Sequence, residues 1–168
     1  MAVAAYAIAI SFAVLLFFIV GGQFLLEALK IPMSSFQLAG SLVLLLFGLK
    51  MVLGHLSAEI AAVPADASLI QRAVYPLAVP GIAGAGAILT VVLLTDNHTR
   101  SLGEQAATTG VLVVCLAGFF ALYAGAGLVS RLLGRTGIEI ISRVFGLILS
   151  SIAVHGLVVA AKLSFSST

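Results

Sequence analysis

Residues 73–95 read AVYPLAVPGIAGAGAILTVVLLT, 23 residues without one charged side chain. A helix of roughly 17–25 apolar residues crosses the hydrocarbon of a bilayer, so this stretch has the length of a membrane span. Four more uncharged stretches flank it: everything before Glu27, then 31–49, 105–130 and 144–161. The fourteen charged residues all lie in or beside the connections between these stretches. Across the chain 62% of residues are apolar and 8% charged, with a mean hydropathy of +1.27. A soluble domain carries about 25% charged residues, so a soluble class is excluded. The sequence predicts an all-α, multi-pass helical bundle with spans at about 3–26, 34–54, 73–95, 105–129 and 140–161.

The net charge of +2 does not mark a nucleic-acid binder, because the Lys and Arg residues are scattered along the connections and form no basic face. They serve instead as topology signals. With five spans, Lys50, Arg72, Arg131, Arg135 and Arg143 fall on one side, and Lys30, Arg100 and Lys162 on the other. The richer side is expected to be cytoplasmic, which places the N-terminus inside and the C-terminus outside. The apolar start lacks the basic leader of a signal peptide and reads as a span. Cys115 is alone within a span and reads as apolar filler.

Membrane transporters are often duplicated, and a shift of 106 residues sets Ser11–Gly40 beside Ala117–Gly146. Leu16 then meets Leu122, Phe17 meets Tyr123, Gly21 meets Gly127, Leu26 meets Leu132 and Gly40 meets Gly146. The order of elements agrees better than the identities: a long span, a polar turn, then a span containing a glycine. On this register residues 1–58 form an incomplete first repeat of two spans, 59–72 a connecting loop, 73–163 a second repeat of three, and 164–168 a tail. The span at 73–95 has no counterpart. The pattern predicts a six-span, three-plus-three molecule with inverted halves, of which a first span is missing here.

The stretch at 73–95 also contains helix breakers: Pro76, Pro80, Gly81, Gly84 and Gly86. Pro80 lacks an N–H and clashes with the carbonyl four residues back. In lipid an unpaired backbone group costs several kcal/mol, so a broken helix persists only against protein or a water-filled cavity. A break leaves N–H groups free at the start of the second half-helix, beside the positive end of its dipole. That arrangement suits a carboxylate, and the carbonyls of the first half suit a cation. Pro80, Gly81, Gly84, Ala85, Gly86, Ala87 and Thr90 are therefore the candidate substrate-binding residues, with the Thr95 hydroxyl beyond them. The same glycines also fit a close-packing face against another helix. Spacing leaves both readings open.

His155 lies inside a span, where an ionisable group is a candidate for proton or ion coupling, and Gln37 is a second polar candidate. Gly118, Gly125 and Gly127 read as close-packing positions, and Arg131, Arg135 and Arg143 as an anchor for topology or anionic head groups. No span holds a carboxylate pair, and no Cys/His cluster has metal-ligand spacing. An enzyme is not expected, nor a metal or a cofactor.

The string Pro76-Leu77-Ala78-Val79-Pro80-Gly81-Ile82-Ala83-Gly84-Ala85-Gly86-Ala87 resembles the signature fourth span of the MarC family of bacterial inner-membrane proteins. Gly134-Arg135-Thr136-Gly137, with Ser142-Arg143, Gly146-Leu147-Ile148-Leu149 and Ala153-Val154, is similar to that family's last connection and last span. Phe36-Gln37-Leu38-Ala39-Gly40 and Gly48-Leu49-Lys50-Met51 resemble its third span. The resemblance implies six spans in two inverted halves, with an Asn-Pro motif on a first span that mirrors the glycine-rich break. It also implies, for some members, transport of small neutral amino acids such as glycine and alanine. Ala85 stands where the family usually has Pro, His155 where Gln is usual, and Gln37 where Arg is common. The expected function is secondary transport of a small solute across the inner membrane, coupled to H⁺ or Na⁺. The competing expectation is a non-transporting accessory subunit, with a homo-oligomer or a larger membrane complex as its setting.

Overall fold

A computed structural model describes residues 2–55, Ser68, 82–95 and 101–166, and every regular element among them is helical. Helix α1 spans Ala2–Ala28, α2 Met33–Val52 and α3 Ala85–Leu94. A single helical run, Leu102–Ser166, is broken at Gly134, which stands at φ 62° and ψ 179°. The break divides it into two apolar helices, α4 (Gly103–Gly134) and α5 (Thr136–Phe165). Helices α1, α2, α4 and α5 are each long and apolar enough to cross a membrane.

The connections follow from local chemistry. After α1 the Ile31 N–H donates to the Leu26 carbonyl at 2.9 Å and the Lys30 N–H to Glu27 at 3.0 Å, a Schellman closure. Lys30 sits at the left-handed position of that closure, with φ 54°, where glycine is the usual residue. Pro32, with φ −61°, then stops α1 from continuing and caps the start of α2. At the start of α4 the Ser101 N–H donates to the Glu104 carboxylate at 2.8 Å, while the Glu104 N–H donates to Ser101 Oγ at 3.4 Å. This reciprocal pair is a capping box. The polar turn expected over 130–139 is helical on both sides of Gly134, so α4 and α5 run further than the uncharged stretches. Long Arg side chains carry their charge to the interface without ending a helix, which is why charge positions understate helix length.

The helices meet at small residues. In α2 and α5, Gly48 lies against Gly146 and Ser150, Gly146 against Met51 and Val52, and Gly156 against Ser41. These pairs run in opposite sequence directions, so α2 and α5 pack antiparallel. Ser150, Ala153 and Ala160 continue the buried seam of α5. Without a side chain at Gly48 and Gly146 the two backbones touch, and dispersion between them replaces the hydrophobic driving force that lipid removes. Helix α3 packs on an adjoining face of α2, with Gly40 against Leu89 and Gly86 against Leu44, again antiparallel. Its Val92 fills the space beside Gly22 of α1. Leu15 and Leu26 of α1 join Ala83, Val91 and Val92 in the core cluster. Buried hydroxyls bond to their own helix: Ser11 to the Ala7 carbonyl at 2.8 Å and Ser150 to the Gly146 carbonyl at 2.8 Å. Each meets its hydrogen-bonding need four residues back and leaves no exposed polar group for lipid.

Candidate functional site

Among the candidate residues, Pro80 and Gly81 lie outside the described residues, as does Pro76. From Ile82 onward the break is visible. Ile82 and Ala83 are buried, Gly84 is extended at φ −76° and ψ 173°, and α3 begins at Ala85. Gly84 is the middle residue of the 23-residue uncharged stretch, so the helix start falls at mid-span. Its side-chain-free N-cap offers no hydrogen bond to the first turn. The first intrahelical bond to reach back is Ile88 N–H to the Gly84 carbonyl, at 3.0 Å. The N–H groups of Ala85, Gly86 and Ala87 therefore have no acceptor four residues back within the helix, and they point from its positive end. Gly84, Ala85, Gly86 and Ala87 are half-buried.

Gly86 has a second role. An added Cβ there would lie 2.8 Å from Leu44 Cδ1, so Gly86 is where α3 meets the Leu44 side chain of α2. Thr90 is exposed and its hydroxyl donates to the Gly86 carbonyl at 2.8 Å; Thr95 is buried and donates to Val91 at 2.6 Å. Both hydroxyls spend their proton on their own helix.

The structure does not gather the remaining candidates at this point. Gln37 is half-buried in the second turn of α2, and His155 is exposed on α5. Arg143 lies at the far end of α2, its guanidinium 3.6 Å from where a Gly54 Cβ would stand. There it borders a small cleft with Met51, Leu53, Glu139 and Ser142. Among the described residues Gly118, Gly125 and Gly127 have no neighbour within 4 Å of an added Cβ, so they do not pack against the described helices. The seam glycines are Gly48, Gly146 and Gly156 instead. Their signal in the sequence is small residues recurring on one helical face, as in Gly146, Ser150, Ala153 and Ala160. Among the described residues no group of His, Cys, Asp and Glu is placed to hold a metal ion.

The chain matches the MarC family of integral membrane proteins over residues 1–165. It belongs to that family. A UPF0056 membrane protein from Pyrococcus horikoshii is 31% identical over 154 residues, which cover 92% of this chain and 74% of the relative. A UPF0056 membrane protein from Aquifex aeolicus is 30% identical, covering 90% and 72%. The Escherichia coli K12 relative, named an inner membrane protein, is 28% identical over 86% of this chain and 70% of its own. No solved structure matches the chain. MarC membership and the four long apolar helices make this a multi-pass integral membrane protein.

Proposed function

We propose that this MarC-family chain is part of a secondary transporter for a small zwitterionic solute, with neutral amino acids as the substrate class, and that it performs no chemistry on its cargo. The observation that carries the reading is the helix start at Gly84, which brings first-turn amides without a side-chain cap to mid-span within the helix cluster. In this reading the N–H groups of Gly86 and Ala87 hold the substrate carboxylate, aided by the half-helix dipole. Gly84 leaves room for the solute and the Thr90 oxygen accepts from the substrate ammonium, with Pro80 and Gly81 as further candidates by sequence alone. His155 and Gln37 are coupling candidates only if the solute path reaches them. The inner-membrane orientation belongs to the same proposal, with the N-terminus cytoplasmic and the C-terminus periplasmic.

Uptake of labelled glycine or alanine by proteoliposomes, driven by a proton or sodium gradient, tests the reading. Saturable uptake by the parent chain and its loss in Gly84→Leu are expected, with both proteins monodisperse in detergent. Gly84 has an ordinary extended backbone, so a side chain there blocks space without straining φ. Unchanged uptake in Gly84→Leu would remove the site. The Gly86–Leu44 contact favours a second reading, in which the glycines serve helix packing in an accessory subunit. A folded parent chain that takes up nothing, yet purifies with a stoichiometric partner, selects that alternative.

A further inference from the structure

The cleft at the end of the α2–α5 seam lies at a definite depth in the membrane. Ser41 and Gly156, Met51 and Gly146, and Gly54 and Arg143 are neighbours on one antiparallel register. Lys50 ends the uncharged stretch of α2, and Arg143 immediately precedes that of α5. Both helices therefore leave the hydrocarbon at the same level, and the cleft lies at the depth of the lipid head groups.

Its lining is polar and carries both charges. Met51, Leu53 and Gly54 come from α2 and its closing turn, and Glu139, Ser142 and Arg143 from α5. The volume is about 190 Å³, below the roughly 300 Å³ at which sites for drug-sized ligands begin. Among the described residues no hydrogen bond or ion pair engages the Arg143 guanidinium, so its N–H donors remain available. Glu139 precedes Arg143 by four residues, which sets it one turn, about 6 Å, farther from the hydrocarbon. Glu139 has an interaction of its own, but a carboxylate offers about four lone-pair sites and can take a further donor.

Charge decides which ligand fits. By sequence alone Arg143 suits any anionic head group. In the fold, the Glu139 carboxylate and the carbonyl end of α2, with its partial negative charge, border the same space. A ligand of net negative charge gains from Arg143 and loses to both of these. A zwitterion with its phosphate inward and its amine outward meets each group with the opposite charge. That order along the membrane normal belongs to a phosphoethanolamine head group, in which the phosphate joins the glycerol and the ammonium ends the chain. A choline head group has methyls in place of the N–H donors and has nothing to donate to Glu139.

We infer that this cleft holds the head group of phosphatidylethanolamine, with Arg143 and Ser142 on the phosphate and Glu139 on the ammonium. The site is separate from the helix break, so the inference can fail while the Gly84 site stands.

Native mass spectrometry tests it, with the purified chain in detergent and equimolar phosphatidylethanolamine, phosphatidylglycerol and phosphatidylcholine of matched acyl chains. The expected result is a phosphatidylethanolamine adduct several-fold above the other two. Arg143→Gln should lower it several-fold, whereas Arg131→Gln, at an exposed cation of α4, should not. Glu139→Gln removes the partner of the amine and should turn the ranking toward phosphatidylglycerol, a reversal that a purely structural role would not produce. Equal adducts of the three lipids, or a parent chain that prefers phosphatidylglycerol, would overturn the inference, and that comparison needs no variant to fold. So would an unchanged ranking in Glu139→Gln. An adduct of soluble phosphoethanolamine as abundant as that of the lipid would overturn it too, because the cleft would then serve a free solute.

Discussion

Replacing Gly146 by Ala separates packing from propensity at the α2–α5 seam. The added Cβ would lie 2.7 Å from Met51 Cβ, 2.8 Å from the Gly48 carbonyl oxygen and 2.9 Å from the Val52 nitrogen. Ordinary contact begins near 3.4 Å, so the helices must move apart by about 0.6 Å. Two of the three neighbours are backbone atoms, and no rotamer change relieves them. Overpacking of this kind costs about 1–3 kcal/mol. The helix gains back up to about 1 kcal/mol when Ala replaces an interior Gly. The net expectation is a loss of about 1–2 kcal/mol. Gly118→Ala is the matched control, because its Cβ would meet nothing within 4 Å. Only the propensity gain remains there, roughly 0.5–1 kcal/mol of stabilisation. Unfolding of the purified chain in mixed micelles, followed by circular dichroism, should therefore show two identical chemical changes with opposite signs. Equal shifts in one direction would refute the packing argument.

Two further changes probe the ends of helices. Lys30→Gly removes a side chain from a left-handed position and should raise stability by about 1 kcal/mol, read as a higher unfolding midpoint. Ala85→Pro places proline at the first helical position of α3, where no intrahelical N–H bond is lost; retained folding and a gain of about 0.4–1 kcal/mol are expected in the same assay.

The spans were legible because charge is costly in hydrocarbon, and uncharged gaps therefore mark helices whatever their partners. The break was legible too, since Pro80, Gly81 and Gly84 advertise lost hydrogen bonds and missing side chains, and the helix does begin at Ala85. Which faces touch was much less so. In a soluble helix water forces a polar side, but here lipid and protein select the same apolar residues, so hydropathy carries no direction. Glycine illustrates the difficulty. Gly48 and Gly146 meet backbone to backbone, while Gly118 and Gly127 face open space, and composition does not distinguish them. Thr90 and Thr95 looked equally available from the sequence, yet only the fold shows one exposed, the other buried, and both donating to their own helix. The capping box at Ser101–Glu104 is the reverse case, a contact that four consecutive residues determine on their own.

The unequal lengths of α2 and α4 have a consequence for the surrounding bilayer. The uncharged stretch at α2, residues 31–49, would span about 28 Å as a helix, close to the roughly 30 Å of a typical hydrocarbon core. The stretch at α4, residues 105–130, would span about 39 Å. An upright α2 satisfies such a membrane, whereas α4 must lean by roughly 40° or thicken the lipid around it. Thickness is therefore a variable to which α2 and α4 respond differently. Thicker bilayers relieve α4 and strain α2, so acyl-chain length is expected to bear on the two helices with opposite sign.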